Sequence, residues 1–454
     1  MTVARELADF LTPISAGDLP AQAIDHAAML IASTIASAAL GSGIESAVIT
    51  CALAREKGGR PDAPVWFDGG GRLPVTEAAR VNAVMSDAAA SDDSDLRNIV
   101  HAGTPLTATT LAVAEHNGAR GEEVLAAIVT GYEAAGRIAA AMTPGFRQRG
   151  FHGCHGAIFA AAVAAARLMR LGPAQTAQAI ALSATSIGGL AAAADTSLAR
   201  EYHGGLATLL GIEAALAAGR GYRAEESILE ARHGFFEAFG GVDGAAAGAE
   251  VNRDLGQSWD IVTDMAVKLV PGGHPHHALA EAAAKAARDG QITADEIDSI
   301  TLSRPGVTAL AGPRHPKDLI DMAHSPAYFL AAGAVDQDFS WIHATPAKIA
   351  DPVIHRLIDK VRVGAPPPAE EAAHFRQGAT VTIRTQDGRS QTATVHVPKG
   401  AGVLGIAWAD IDAKYRALVP HAGLPEDRIE ASLALIHDFR SLTDVSALTG
   451  ALRK

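Results

Sequence analysis

Gly156–Met169 reads GAIFAAAVAAARLM. Alanine is the strongest helix former, and Arg167 near the end is the only charge in the stretch, so the segment is helical and apolar on every side. Such a helix cannot face water. It is expected at the centre of a helical layer, with small side chains letting its neighbours approach closely. The same composition runs through the chain: hydrophobic residues make up 48% of it and aromatic ones 5%, so the core must be built from Ala, Leu, Ile and Val. Outward from this stretch, apolar residues recur at helical spacing over most of the first 260 or so positions. That spacing predicts helices at 45–57, 76–90, 105–116, 121–141, 156–170, 173–184 and 205–219. Asp18-Leu19-Pro20 reads as an N-cap followed by proline, opening a helix that runs to about Leu40 and stops at Gly41-Ser42-Gly43.

The pattern changes after about residue 262. Glu296–Ser303 (EIDSITLS) alternates like a half-buried strand, and Ala379–Val397 reads as two strands around Asp387-Gly388, a hairpin turn signal. Helices at 276–288, 324–335 and 351–360 and the Pro366–Pro368 loop lie between them, and helical periodicity returns from Asp410. The expected fold is mainly α: a large all-helical domain, residues 1–262 with 400–454, carrying an inserted smaller α+β domain, 263–399.

A formal net charge of −12 without a basic run argues against nucleic acid or an anionic membrane as partner. Cys51 and Cys154 are the whole cysteine inventory, which suits a reducing compartment and cannot hold an iron–sulfur cluster. The N-terminus MTVARELADF has acidic residues and no apolar core of a signal peptide, and Ala179–Ala194 is too short and too interrupted to cross a bilayer. A cytoplasmic protein is expected. Gly41-Ser42-Gly43 and Gly69-Gly70-Gly71 lack the context of phosphate loops and read as turns, and no GxSxG motif occurs.

Lys268–His277, KLVPGGHPHH, is poor core material: a lysine, a Pro-Gly-Gly turn and three histidines. These are groups that carry protons and hold anions. His101 stands in a His-Ala-Gly turn before a helix that Thr104 can cap and Pro105 can open, and a helix start favours a bound anion. His152 and His155 flank Cys154 at the start of the alanine-rich helix; His152 reads as the substrate-facing member, His155 as either a site residue or a structural one, and Cys154 as a small buried filler.

Several pieces, in order, resemble the MmgE/PrpD family, whose members include 2-methylcitrate dehydratase, cis-aconitate decarboxylase and iminodisuccinate epimerase. They are HAGTPLTATTLAVAEHNGARGEEVLAAIVTGYEAAGRIAAAM from His101, GFHGCHGAIFAAAVAAARLMRLG from Gly150, EYHGGLATLLGIEAALAAGRGYRAEESILEARHGFFEAF from Glu201, KLVPGGHPHH, and HSPAYFLAAGAV from His324. The resemblance implies a helical domain with an inserted α+β lid, usually a homodimer, and proton removal beside a carboxylate of a small di- or tricarboxylate without metal or organic cofactor. On it His101, His152, Lys268 and Tyr328 are the catalytic candidates. Asp92, Asp93, Ser94, Arg200, His203, His274, His276 and His277 are the substrate-binding ones, and the histidine spacing leaves open which of the last three faces substrate. Tyr328 reads equally as an interdomain packing aromatic, and Lys268 as either a base or a carboxylate holder.

The chain departs from the family in two places. Arg200 stands where the family carries a lysine; it can still hold a carboxylate but cannot act as a base. Asp87-Ala-Ala-Ala90-Ser91-Asp92-Asp93-Ser94 replaces a His-x-x-Asp-Phe-Asp-Asp-Thr-like run, so Ala90 stands where an aspartate is expected. If that aspartate manages a leaving hydroxyl, dehydration is weakened and proton shuttling is not. The chemistry expected is therefore loss of water or carbon dioxide, with epimerisation or isomerisation of a dicarboxylate second and a catalytically silent binding protein third. HGCH and HPHH also have the residue types of a metal site, but a histidine-rich active site explains both, and no HExxH spacing is present.

Overall fold

The computed structural model describes residues 1–186 and 188–454. The chain divides into two compact units, Met1–Val267 with Gly405–Lys454, and Lys268–Leu404.

Unit 1 is built on helices α1 (Val3–Leu11), α2 (Ala21–Gly41), α3 (Glu45–Lys57), α4 (Val75–Ala88), α5 (Gly103–Asn117), α6 (Gly121–Ala141), α7 (Cys154–Leu168), α8 (Pro173–Ala184) and α9 (Ala199–Gly219). In α7, the alanine-rich helix, every residue but Arg167 is buried. It packs against α5, α6, α8 and α9. Close approach is enforced by glycine: a Cβ at Gly131 of α6 would fall 2.8 Å from the Ala160 carbonyl oxygen, and one at Gly211 of α9 would fall 2.8 Å from that of Ile158. Helices α2 and α6 are long and apolar enough to span a bilayer, but 89% of the apolar stretch of each is buried in the fold and both are core helices.

Asp18 does not cap α2 as its sequence position suggests. Its carboxylate accepts from the backbone and hydroxyl of Ser15, and the helix starts at Ala21 after Pro20 with no side-chain cap.

Unit 1 is not purely helical. Ala63–Pro64 pairs with Arg72–Leu73, and β1 (Asp93–Asp95) pairs antiparallel with β2 (Met265–Val267), with Asp93 opposite Val267. This second ladder holds the chain in unit 1 beyond the expected boundary at 262, and three residues are too few for alternation to reveal it. Past Leu404 the chain returns to unit 1, where the helix Trp408–Leu418 packs on α2 and buried Lys414 donates to Ser33 Oγ at 2.8 Å.

Unit 2 carries a four-stranded sheet. Its strands are β3 (Ile297–Ser303), β4 (Val361–Val363), β5 (Ala379–Thr385) and β6 (Ser390–Val395), in spatial order β4-β3-β5-β6. The β3–β4 pair is parallel and the other two are antiparallel. Gly388, at φ +88°, makes the β5–β6 turn that Asp387-Gly388 signals. Helix α10 (His277–Asp289) packs on β5 and β6 and on α11 (Pro326–Asp336), so that Leu279, Ala283, Phe329, Ile300 and Ile383 share one core. The short parallel strand β4 was not legible in sequence.

Candidate active site

The acidic run of unit 1 lies inside the protein: Ser91 to Asp95 are all buried. Ala90, at φ +51°, turns the chain out of α4 into it. Burying carboxyl groups is costly unless donors meet them. Asp93 is met twice, by the Gly103 N–H on Oδ1 at 2.9 Å and by the Tyr132 hydroxyl on Oδ2 at 3.1 Å. The start of α5 is thus capped by a carboxyl group from β1 rather than by Thr104, whose hydroxyl lies 3.1 Å from Ser86 Oγ; Pro105 sits in the first turn, where its missing N–H is harmless. A Cβ at Gly103 would come within 2.6 Å of both Asp93 Oδ1 and Leu30 Cδ1, so glycine is required there. Burial, and then the charge of Asp92, push the Asp93 carboxyl up to about 7.

His101 is oriented by the same strand. Its Nδ1 lies 2.5 Å from the Asp93 carbonyl oxygen and 2.7 Å from Asp92 Oδ2. Two acceptors at one nitrogen place the ring proton on Nδ1 and make Nε2 the basic nitrogen of the neutral ring.

His152 is 7% exposed. Burial, then the cationic forms of His101 and His203 and the guanidinium groups of Arg200 and Arg147, hold its imidazole well below the ordinary histidine value, so it is neutral at physiological pH. The His203 ring on α9 lies 5.3 Å from it. His155 is held by the fold around it: Nδ1 donates to the His152 carbonyl at 3.0 Å and the ring packs on Phe151 and Phe239. Burial pushes the Cys154 thiol up to about 12, so it is protonated and no nucleophile. Ser94 is buried in β1 opposite Ala266.

Arg200 departs from expectation. Its guanidinium is already engaged by Asp87, Nε to Oδ1 at 3.3 Å and Nη2 to the Asp87 carbonyl oxygen. Burial pulls its pKa down, but Asp87 and Asp92 outweigh that and raise it. Arg200 therefore contributes a fixed, compensated charge to the site rather than a vacant carboxylate clamp.

In unit 2, Lys268 follows β2 directly and is buried. The next turn passes Ala323 and Phe329 through Gly272, at φ +95°, and Gly273, whose N–H donates to the Ala323 carbonyl at 2.9 Å. His274–His276 forms a 3-10 turn into α10. The His274 ring stacks on His277 at 4.6 Å and His277 on Phe329 at 6.1 Å. Burial, then Arg304 and His324, push His276 down to about 3 and keep it neutral. Arg304 straps this turn, donating to the Pro275 carbonyl and to Gln377 Oε1, both at 2.6 Å.

Tyr328 is buried in the unit 2 core, and its hydroxyl donates to the His343 carbonyl at 2.9 Å. The ring packs within unit 2 and its hydroxyl proton is committed to that carbonyl.

Residues 5–247 match the MmgE/PrpD N-terminal domain and residues 271–437 the MmgE/PrpD C-terminal domain. The chain belongs to the MmgE/PrpD family. Among its curated relatives, the cis-aconitate decarboxylase-like protein oryM of Aspergillus oryzae is 25% identical over 98% of this chain and 96% of its own length. Cis-aconitate decarboxylase of Homo sapiens is 25% identical over 100% and 95%, and that of Aspergillus terreus 24% over 98% and 95%.

In this MmgE/PrpD member the unit 1 candidates His101, Asp92, Asp93, His152, His203 and Arg200 form one electrostatically coupled group. Asp87, Tyr132, Arg147 and Arg304 were not singled out in sequence. Asp87 opens the acidic run and was the one within reach; a buried tyrosine hydroxyl and a strapping arginine leave no local signal.

Proposed function

We propose that the chain is a cofactor-independent lyase that acts on a small unsaturated di- or tricarboxylate, releasing carbon dioxide and adding one proton to the delocalised carbanion left behind. The observation that carries this reading is the fixed tautomer of His101, whose Nδ1 faces the Asp93 carbonyl oxygen and the Asp92 carboxylate and whose Nε2 is the proton-carrying nitrogen. Loss of carbon dioxide leaves an electron pair that spreads onto the neighbouring carboxylate. Fixed positive groups stabilise that charge, and a proton carrier quenches it.

In this scheme His101 carries the proton and His152, neutral and desolvated, is its partner. Lys268 with one of His274, His276 and His277 binds substrate carboxylates, and His203 lines the same group as His152. Asp92 and Asp93 orient His101, while Arg200 and Asp87 set the local field. Carbon dioxide is favoured as the leaving group by the names of the relatives, which match over nearly their whole length. Ala90 is buried where dehydratases and decarboxylases of the family carry an aspartate, so a leaving hydroxyl would lack an acid there. The same alanine supports epimerisation of a dicarboxylate as the second reading, since inversion needs proton transfer and no leaving-group acid. A homodimer is part of the proposal; Val48, Ile49 and Leu53 on α3, with Tyr202 on α9, are exposed apolar side chains that a second copy would cover.

Incubation of the purified chain with cis-aconitate, citrate-like acids and chiral imino dicarboxylates in deuterated water tests this by NMR. The expected result is an unsaturated dicarboxylate carrying one solvent deuteron, with carbon dioxide released from cis-aconitate. Exchange with inversion of a chiral dicarboxylate would select the second reading, and the absence of both reactions would reject catalysis of this type.

A further inference from the structure

His152, Cys154 and His203 each bring one potential ligand atom to within 4.8 Å of the others. The first two come from the turn that opens α7 and the third from α9, so the packing of those two helices sets their separation. His152 and Cys154 are 7% and 3% exposed, and the Nδ1 atoms of His152 and His203 are buried without a hydrogen-bond partner among the described residues. An unpartnered buried ring nitrogen costs about 1–3 kcal/mol, so two of them side by side call for a ligand. Gly189 presses on the same spot: a Cβ there would lie 2.7 Å from Cys154 Sγ and 3.1 Å from His203 Nδ1, so the two donors converge on one point.

We propose that His152, Cys154 and His203 bind a zinc ion, which acts as a reversible inhibitor and not as a cofactor. Imidazole nitrogen and thiolate sulfur select zinc over magnesium and calcium, which take oxygen ligands. A tetrahedral zinc at about 2.0–2.3 Å from its ligands needs donors about 3.3–3.6 Å apart. The three donors lie within 4.8 Å of one another, and His203, which is not fully buried, is the ligand with room to adjust. On binding, the S–H bond of Cys154 breaks, its proton goes to solvent, and the sulfur electron pair forms the bond to zinc; nothing is oxidised or reduced. The charges of Arg147 and Arg200 oppose a cation, and those of Asp87 and of the new thiolate offset them. The fourth position of the ion stays open to water or to a carboxylate. Inhibition follows because zinc takes the His152 imidazole out of proton transfer; this consequence rests on the role proposed for His152, whereas metal binding does not.

Cobalt titration of the chelator-stripped full chain is the test, and Cys51→Ser makes it specific because Cys154 is then the only thiol. The expected result is one cobalt per chain, with thiolate-to-cobalt charge-transfer absorption in the near ultraviolet and the intense visible bands of four-coordinate cobalt, all displaced by one equivalent of zinc. Cys154→Ser should abolish the charge-transfer absorption and weaken zinc at least about tenfold, with turnover retained and zinc inhibition lost. His203→Gln, at a position outside the core, should alter the visible bands and weaken zinc without disturbing the buried turn. The site is overturned if Cys51→Ser shows no charge-transfer absorption at millimolar cobalt, or if the absorption persists in Cys154→Ser. The spectra are read without substrate, so they decide the site even where no lyase activity is found. Normal cobalt binding with turnover insensitive to zinc would reject the inhibitory role alone.

Discussion

Replacing Asp93 by asparagine removes the charge of this carboxyl group and keeps its shape. In the folded protein the group titrates at about 7, against an ordinary value of 3.8, because it is buried beside Asp92. Between those two values the folded state holds a proton that the unfolded state has lost. The stability this contributes is therefore fully present below 3.8 and is lost as pH rises through about 7. A shift of about three units at about 1.4 kcal/mol each is worth about 4 kcal/mol across the window. Asparagine still accepts from the Gly103 N–H but never ionises. The stability of Asp93→Asn minus that of the wild type should accordingly widen by about 1.4 kcal/mol per pH unit up to pH about 7, then level off. Urea unfolding of both proteins followed by circular dichroism at pH 5, 6, 7 and 8 measures it. Subtracting the two curves cancels the buried histidines, whose lowered pKa values act in the opposite sense. Tyr132→Phe is an internal check: the phenol hydroxyl stabilises the ionised form, so its removal should move the inflection to higher pH. Parallel stability curves for wild type and Asp93→Asn would refute the assignment of a proton to Asp93.

His101→Ala should lower kcat/KM by about 10²–10⁴-fold with an unchanged circular dichroism spectrum, the loss typical of a proton carrier; activity close to wild type would remove His101 from the mechanism. Tyr328→Phe should cost about 1 kcal/mol of stability, through the lost bond to the His343 carbonyl, and leave kcat unchanged. A large fall in kcat for that variant would instead support a catalytic hydroxyl. Gly103→Ala should destabilise by about 1–3 kcal/mol, because its Cβ would collide with Asp93 Oδ1 and Leu30 Cδ1; a melting temperature equal to wild type would contradict the packing at the start of α5.

Helices were legible because propensity and the 3.6-residue period are local properties. Glu45–Lys57 and Gly121–Ala141 fall where the spacing puts them, and Asp387-Gly388 turns the hairpin it signals. The catalytic candidates could be picked by residue type and by family pattern, since a histidine in a turn or a lysine before Pro-Gly-Gly has few structural uses. What each group meets was not local. Asp93 caps α5 in place of Thr104 because a ladder of three residues brings it there, and Asp87 claims Arg200 from a helix far away in sequence. Tyr328 gives its proton to a carbonyl in its own core, and His203 rather than His155 joins His152 and Cys154. The sequence by itself determined the helices and supplied the titratable groups. Only the tertiary structure decided their partners, and therefore their charge states, because burial and pairing depend on segments that meet across the fold.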